Sequence, residues 1–293
     1  MNKNLPIFDP SAGTEPQADH AAAARKLQDL RKTLASRVQE GVLVAFSGGM
    51  DSAFLLWVAA DLLGKTDGRV VALTTTSAST PEGDRKDAAS FAQGLGVSHV
   101  WRESGETHLP EYTRNDPDRC FHCKTELFRI AGEVASQEGI RWLLYGYNAS
   151  DHGDHRPGHR AAEEAGVLSP LSEVGLTKAE IRILMEEAGL PLSRKPASPC
   201  LSSRIMTGVE ITPERLRHVE EMESILREAG VETLRVRVCR NEDATLFLRV
   251  EVAPEEMDLV LDCRAELQEA GVTRGYRWVT LDLGGYRTGG GVS

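Results

Sequence analysis

The hydrophobic pattern changes rhythm repeatedly through the first part of the chain. Apolar positions return at helical spacing from Ala21 to Gln39, then run unbroken from Val42 to Phe46. An apolar run that short suits a strand buried on both faces, as in a parallel sheet. Two glycines follow at once, and Ser52 to Leu63 is predicted to be a helix. The alternation continues with a strand at Val70–Thr75, a helix from Pro81 to Leu95, a short strand near His99, a helix after Cys123 and a strand at Trp142–Tyr145. Strands alternating with helices predict an α/β fold with a doubly wound parallel sheet, whose ligands bind at the carboxyl ends of the strands. The loop at Ser47, the polar run Thr74–Thr80 with Ser77, and Gly146-Tyr147-Asn148 are therefore expected to open on one crevice.

Asn148 to Ser172 interrupts this rhythm, being polar and rich in His, Asp and Gly. It is too long for a connector, which predicts a binding or lid segment. Thr177 and Glu180 then form a capping box for a helix ended by Gly189. Beyond Met206 the order changes to a helix from Thr212-Pro213 to Gly230, strands Leu234–Val238 and Leu246–Val252, a helix from Pro254 to Gly271, and a strand Arg277–Leu281. This predicts a smaller C-terminal α+β domain. The expected division is a flexible leader over 1–19, an ATP-binding domain over 20–205, and a substrate-binding and oligomerisation domain over 206–293.

With 293 residues, 41% hydrophobic and 27% charged, the chain can fill a globular core. The longest apolar stretch, Ala53 to Leu63, is too short for a bilayer and contains Asp61, so no membrane anchor is expected. Nor do the first residues combine a basic start with an apolar core, which argues against export. Thirty-four basic residues against 44 acidic ones give a net charge of −10, which repels polyanions and makes nucleic acid a poor partner. The five cysteines are few and odd in number, and Cys120-Phe121-His122-Cys123 suggests metal or redox chemistry in a reducing cytoplasm.

The most specific motif is Ser47-Gly48-Gly49-Met50-Asp51-Ser52 between a strand and a helix. Glycines let backbone N–H groups approach an anion, and the helix start adds partial positive charge. Ser47 and Ser52 can donate to phosphate, and Asp51 can bind Mg²⁺ or orient the loop. No Gly-Lys-[Ser/Thr] follows, so this is not a Walker loop. The hexad resembles the PP-loop of the ATP pyrophosphatases, which include NAD synthetase, GMP synthetase and tRNA thiolation enzymes. That resemblance implies ATP splitting to AMP and pyrophosphate, with adenylation of an acyl or amide oxygen before a nucleophile attacks.

Cys120 and Cys123 fall near a helix start, where the dipole favours thiolate. Cys200 lies in a loop stiffened by Pro196 and Pro199. Three thiolates can hold three corners of a [4Fe–4S] cluster and leave one iron open for sulfide. Other readings stay open: zinc with a fourth ligand from His152, His155 or His159, unligated core thiols, or a cysteine that donates its own sulfur or carries a persulfide. Cys239 and Cys263 read as ordinary half-buried and core thiols. Asp151, Asp154 and Arg156 are candidates for Mg²⁺ and pyrophosphate, since carboxylates suit hard cations, and Lys124 for neutralising a departing phosphate. Alternation along the C-terminal strands puts Arg235 and Arg237 on one face, where an antiparallel partner adds Arg249. Arginine forks match phosphate, and Arg277 and the Asp282–Arg287 loop add a further anion-binding candidate.

Several segments in order resemble the LarE family, ATP-dependent sulfur transferases that build the nickel-pincer nucleotide cofactor of lactate racemase. They are Phe46–Ser52, Asn115–Phe128, Gly146–Ala165, Lys195–Arg204, Thr233–Arg237 and Thr280–Gly289. The resemblance covers about Ala21 to Gly289 and marks Ser203, Arg204 and Glu223 as further site candidates, Glu223 for a divalent ion. It implies adenylation of a carboxylate on pyridinium biscarboxylic acid mononucleotide, then sulfur delivery from sulfide or a carrier to give a thiocarboxylate, by a homo-oligomer, trimer-based. Members that sacrifice a cysteine carry it in the segment reading Ala197-Ser198-Pro199-Cys200 here, but aligned beside Pro199, and carry an aromatic pair where Cys120 and Phe121 stand. That departure implies the cluster-dependent kind. The competing readings are a tRNA thiolase, an amidating ligase like NAD synthetase, and an ATP-sensing zinc protein.

Overall fold

The computed structural model describes residues 19–151, 157–195 and 199–287. Its first part runs α1 (His20–Glu40), β1 (Val42–Ala45), α2 (Met50–Leu63), β2 (Val70–Thr76), α3 (Glu82–Leu95), β3 (Ser98–Glu103), α4 (Pro110–Thr113), α5 (Arg119–Glu138) and β4 (Trp142–Tyr145). The four strands pair in parallel in the order β3-β2-β1-β4, as the pattern predicts for an α/β sheet. Their alternate residues feed two helical layers. Val42, Val44, Val70 and Ala72 pack with α1, α2 and α8 (Lys178–Glu187) on one face. Leu43, Val71 and Leu73 meet Ile130, Ala131 and Val134 of α5 on the other.

Part of the polar stretch after β4 is helical. It holds a one-turn 3₁₀ helix at Ala149–Asp151, then α6 (Pro157–Glu164) and α7 (Pro170–Glu173). Ala161 and Ala162 bury that first helix against Phe128 and Tyr145. Both helices carry proline at their first position, where a missing N–H costs nothing. Residues 152–156 of the stretch, with His152, Asp154, His155 and Arg156, lie outside the described residues.

The second sheet follows α9 (Pro213–Glu228) and consists of β5 (Leu234–Arg240), β6 (Leu246–Val252) and β7 (Val279–Leu281). β5 and β6 are antiparallel and β6 and β7 parallel. The single helix expected from Pro254 is broken at Cys263 into α10 (Met257–Asp262) and α11 (Arg264–Thr273). This second core also takes in Tyr112, Leu201 and Ile205 from earlier in the chain, so the segments around α4 and Cys200 sit between the two sheets. Among the described residues no helix is long and apolar enough to cross a membrane.

Candidate active site

The Ser47 loop leaves the carboxyl end of β1, an inner strand, and enters α2 through Gly49, which caps that helix with no side chain. The first N–H groups of the helix are therefore open to an anion. Gly48 is buried with φ +74°, and a Cβ there would stand 2.8 Å from the Asp84 carbonyl oxygen. Only glycine fits both the left-handed backbone and that space. Ser52 Oγ donates to the Gly49 carbonyl at 3.0 Å and accepts from Ser47 N–H at 3.3 Å, which closes the loop on itself. Gly146 serves the loop by closeness: a Cβ there would lie 2.6 Å from Ser52 N. Asp51 and Asp151 flank this region, both half-buried.

Cys120 is exposed and Cys123 and Cys200 are half-buried, all three as free thiols. α5 begins at Arg119, so the pair stands in its first turns rather than before it. At Cys123 burial works against the thiolate expected from the helix dipole. Burial pushes its thiol up to about 12, the neighbouring Cys200 adds to this, and Lys124 only partly offsets them. Desolvation outweighs a half-charge at a helix end. Cys120 also bears on Cys123, so the three thiols lie within electrostatic reach of one another. Among the described residues no three His, Cys, Asp or Glu side chains converge to hold one metal ion, as zinc requires. Thiols are the donor type that an iron–sulfur cluster takes. His159, one zinc candidate, is engaged elsewhere: its Nδ1 is hydrogen-bonded to Tyr145 Oη and its ring stacks on Tyr147 at 3.9 Å between centroids.

What fixes Cys200 is Arg204. The guanidinium is 2% exposed and reaches the carbonyl oxygens of Pro199 and, at 3.1 Å, Cys200. Its other donors meet Glu223, at 2.9 Å through Nε and 3.3 Å through Nη2. Glu223 is fully buried and also accepts from Arg227 at 2.7 Å and from Val236 N–H at 3.3 Å. Both carboxylate oxygens are thus occupied by nitrogen donors, which leaves the expected divalent-ion role of Glu223 without a ligand atom. Arg204 likewise shapes the site instead of facing it. Ser203 Oγ donates to the Cys200 carbonyl at 2.8 Å.

The arginine face of the second sheet forms, with Arg237 buried and Arg235 and Arg249 half-buried. Arg237 is 6% exposed and pairs with Glu251 at 2.7 Å, while Arg249 meets the same carboxylate at 2.8 Å. Arg235 lies over the Tyr286 ring at 5.3 Å. Burial, then the Arg204 charge, hold its pKa below the usual arginine value. Arg277 and Arg287 are exposed, Arg287 facing Asp282 at 3.4 Å.

The NAD synthase family model matches residues 23–107, which contain the Ser47 loop. An uncharacterised protein of Synechocystis sp. is 38% identical over 264 residues, 90% of this chain and 96% of that protein. The pyridinium-3,5-bisthiocarboxylic acid mononucleotide synthase of Lactiplantibacillus plantarum is 34% identical over 248 residues, 85% of this chain and 87% of that enzyme. The chain belongs to the LarE family. More distant is the NH(3)-dependent NAD(+) synthetase of Aeropyrum pernix, 28% identical over 68% of this chain and 70% of that enzyme.

Several residues that build this LarE-family site carry no local signal. Asn115, at φ 60°, holds its side-chain amide nitrogen near the carbonyl oxygens of Ile205, Met206 and Val209, at 3.2, 2.9 and 3.0 Å. Arg119 donates to the Ser202 carbonyl at 3.0 Å, and Tyr112 Oη lies 2.5 Å from Ser202 Oγ. These bonds bind the start of α5, with its two cysteines, to the loop bearing the third. Lys195 Nζ reaches Asp84 at 2.8 Å, Asp87 at 2.6 Å and the Gly48 carbonyl at 3.2 Å. It ties the Cys200 segment to the glycine loop.

Proposed function

We propose that this chain adenylates a carboxylate of pyridinium biscarboxylic acid mononucleotide and converts it to a thiocarboxylate for the nickel-pincer nucleotide cofactor. The observation that carries the reading is the bond from Leu201 N–H to the Ser79 carbonyl at 2.8 Å. It joins the crevice at the carboxyl edge of the sheet to the residue after Cys200. An activated carboxylate and a sulfur donor must meet, and a direct bond between the loop after β2 and the loop bearing Cys200 supports that reading.

In this reading Ser47, Gly48, Gly49 and Ser52 and the open start of α2 receive the ATP phosphates. Asp51 and Asp151 supply oxygens for Mg²⁺. Lys124 neutralises charge on the departing phosphate, so that electrostatic stabilisation carries the adenylation step. Arg235, backed by Arg237, grips the phosphate of the nucleotide substrate. Cys120, Cys123 and Cys200 would hold a [4Fe–4S] cluster by three corners, which when bound supplies an open iron for sulfide. Free thiols persist in a reducing cytoplasm, where the enzyme would act as a homo-oligomer on a small molecule, with sulfide or a carrier as sulfur source.

Anaerobically purified protein is expected to be brown, to contain iron, and to form pyrophosphate and thiocarboxylate only with ATP and the nucleotide substrate present. Cys120→Ala, Cys123→Ala and Cys200→Ala should each lose iron and thiocarboxylate yield. Full yield in all three removes the cluster, and absence of pyrophosphate with the wild type removes the reaction.

A further inference from the structure

A carboxylate in the same region has no part in the roles above. Glu106 begins the one-turn helix Glu106–His108 and is 3% exposed. Its Oε1 accepts from the hydroxyls of Ser77 and, at 3.1 Å, Ser79. Its Oε2 is buried and has no hydrogen-bond partner among the described residues. Glu106 also forms no ion pair among them. Buried acids are normally paired, and an unpaired oxygen in the interior points to a partner that arrives with the ligand.

The position of this oxygen narrows what that partner is. Glu106 lies within electrostatic reach of Cys123 and of Tyr112. The turn it holds is tied to the Cys200 loop: Ser79 N–H donates to Ser77 Oγ at 3.0 Å, and the Ser79 carbonyl accepts from Leu201 N–H at 2.8 Å. The carboxylate therefore stands at the join between the adenylation crevice and the sulfur-bearing loops. Burial raises the Tyr112 hydroxyl well above its usual value, so it stays protonated and accepts no proton.

We propose that Glu106 is the general base of the sulfur-transfer half-reaction, receiving on Oε2 the proton of the incoming hydrosulfide. Its sulfur attacks the carbonyl carbon of the acyl adenylate, and a C–S bond forms. The C–O bond to the α-phosphate breaks and its electron pair leaves with AMP. The S–H proton passes to Glu106, leaving a thiocarboxylate, and then to solvent. Nothing is oxidised or reduced, and the hydrosulfide is the only added reactant.

This rests on the sulfur-transfer reading, and the test separates the two. Glu106→Gln keeps an Oε1 for Ser77 and Ser79 but removes the base. In a single turnover, with enzyme in excess over the nucleotide substrate and sodium sulfide supplied anaerobically, the variant should release pyrophosphate at a rate within about twofold of wild type. Its thiocarboxylate yield, measured by mass spectrometry, should fall by roughly 100-fold or more, the range a positioned base contributes. In Glu106→Ala, added formate should restore part of that yield. Equal thiocarboxylate rates in Glu106→Gln and wild type overturn the inference, as does parallel loss of both half-reactions, which marks a purely structural residue. A wild type that makes no thiocarboxylate removes the underlying reading, and the inference with it.

Discussion

A single guanidinium decides where Cys200 stands. Arg204 and Glu223 form a buried pair, and removing the arginine leaves the fully buried carboxylate with only the half-exposed Arg227 as its cation. Arg204→Ala should therefore lower the unfolding free energy by about 3–5 kcal/mol in urea titration. It should also free the Pro199 and Cys200 carbonyls, so that thiol-reactive dyes label Cys200 faster. Neither partnership nor burial could be read from the sequence. The family resemblance marks both residues, but nothing local pairs positions 204 and 223, and an acid on a helix is usually solvated. Glu106 was harder still, since Gly-Glu-Thr-His reads as a surface turn and the hydroxyls that meet its carboxylate, Ser77 and Ser79, come from the turn after β2. The glycine loop was legible because its chemistry is contiguous.

Among the elements, those whose signals are local follow the pattern closely. The capping box of α8 forms, with Thr177 accepting from Glu180 N–H at 3.3 Å and Glu180 accepting from Thr177 N–H at 2.8 Å. Thr177→Ala should cost about 1 kcal/mol of stability by thermal or chemical melt. Burial opposes ionisation of Glu180, but the Lys26 ammonium and the Thr177 donors prevail and hold its pKa below the usual value. Its contribution is thus present at neutral pH and disappears as acid protonates the folded state, so the Thr177→Ala deficit should shrink in acid. α6 escaped the pattern because Ala161 and Ala162 form its buried side. Residues so small barely raise an apolar signal, and a helix resting on them looks like a polar loop. The split at Cys263 was hidden for the opposite reason, since Val260 and Leu267 keep helical spacing across the break.

For the whole molecule, the change of pattern near Met206 marks where new elements begin, while the second core reaches back across it to Tyr112, Leu201 and Ile205. Ile205 even bridges to Val238 of β5. A fragment of residues 206–293 lacks these side chains and should melt without a cooperative transition by circular dichroism, while the full chain melts cooperatively. Contacts between positions 90 or more residues apart, such as Asn115 with Ile205, leave no trace in local periodicity, so the joint between the sheets was invisible to it. That joint also has a chemical lifetime. Asn115 is 1% exposed and offers amide hydrogens where three carbonyl oxygens converge. Hydrolytic loss of ammonia from it would set a negative oxygen against those carbonyls and prise the cysteine loops apart. Because water reaches the amide only when the chain opens, ageing of stored protein should track how often it unfolds.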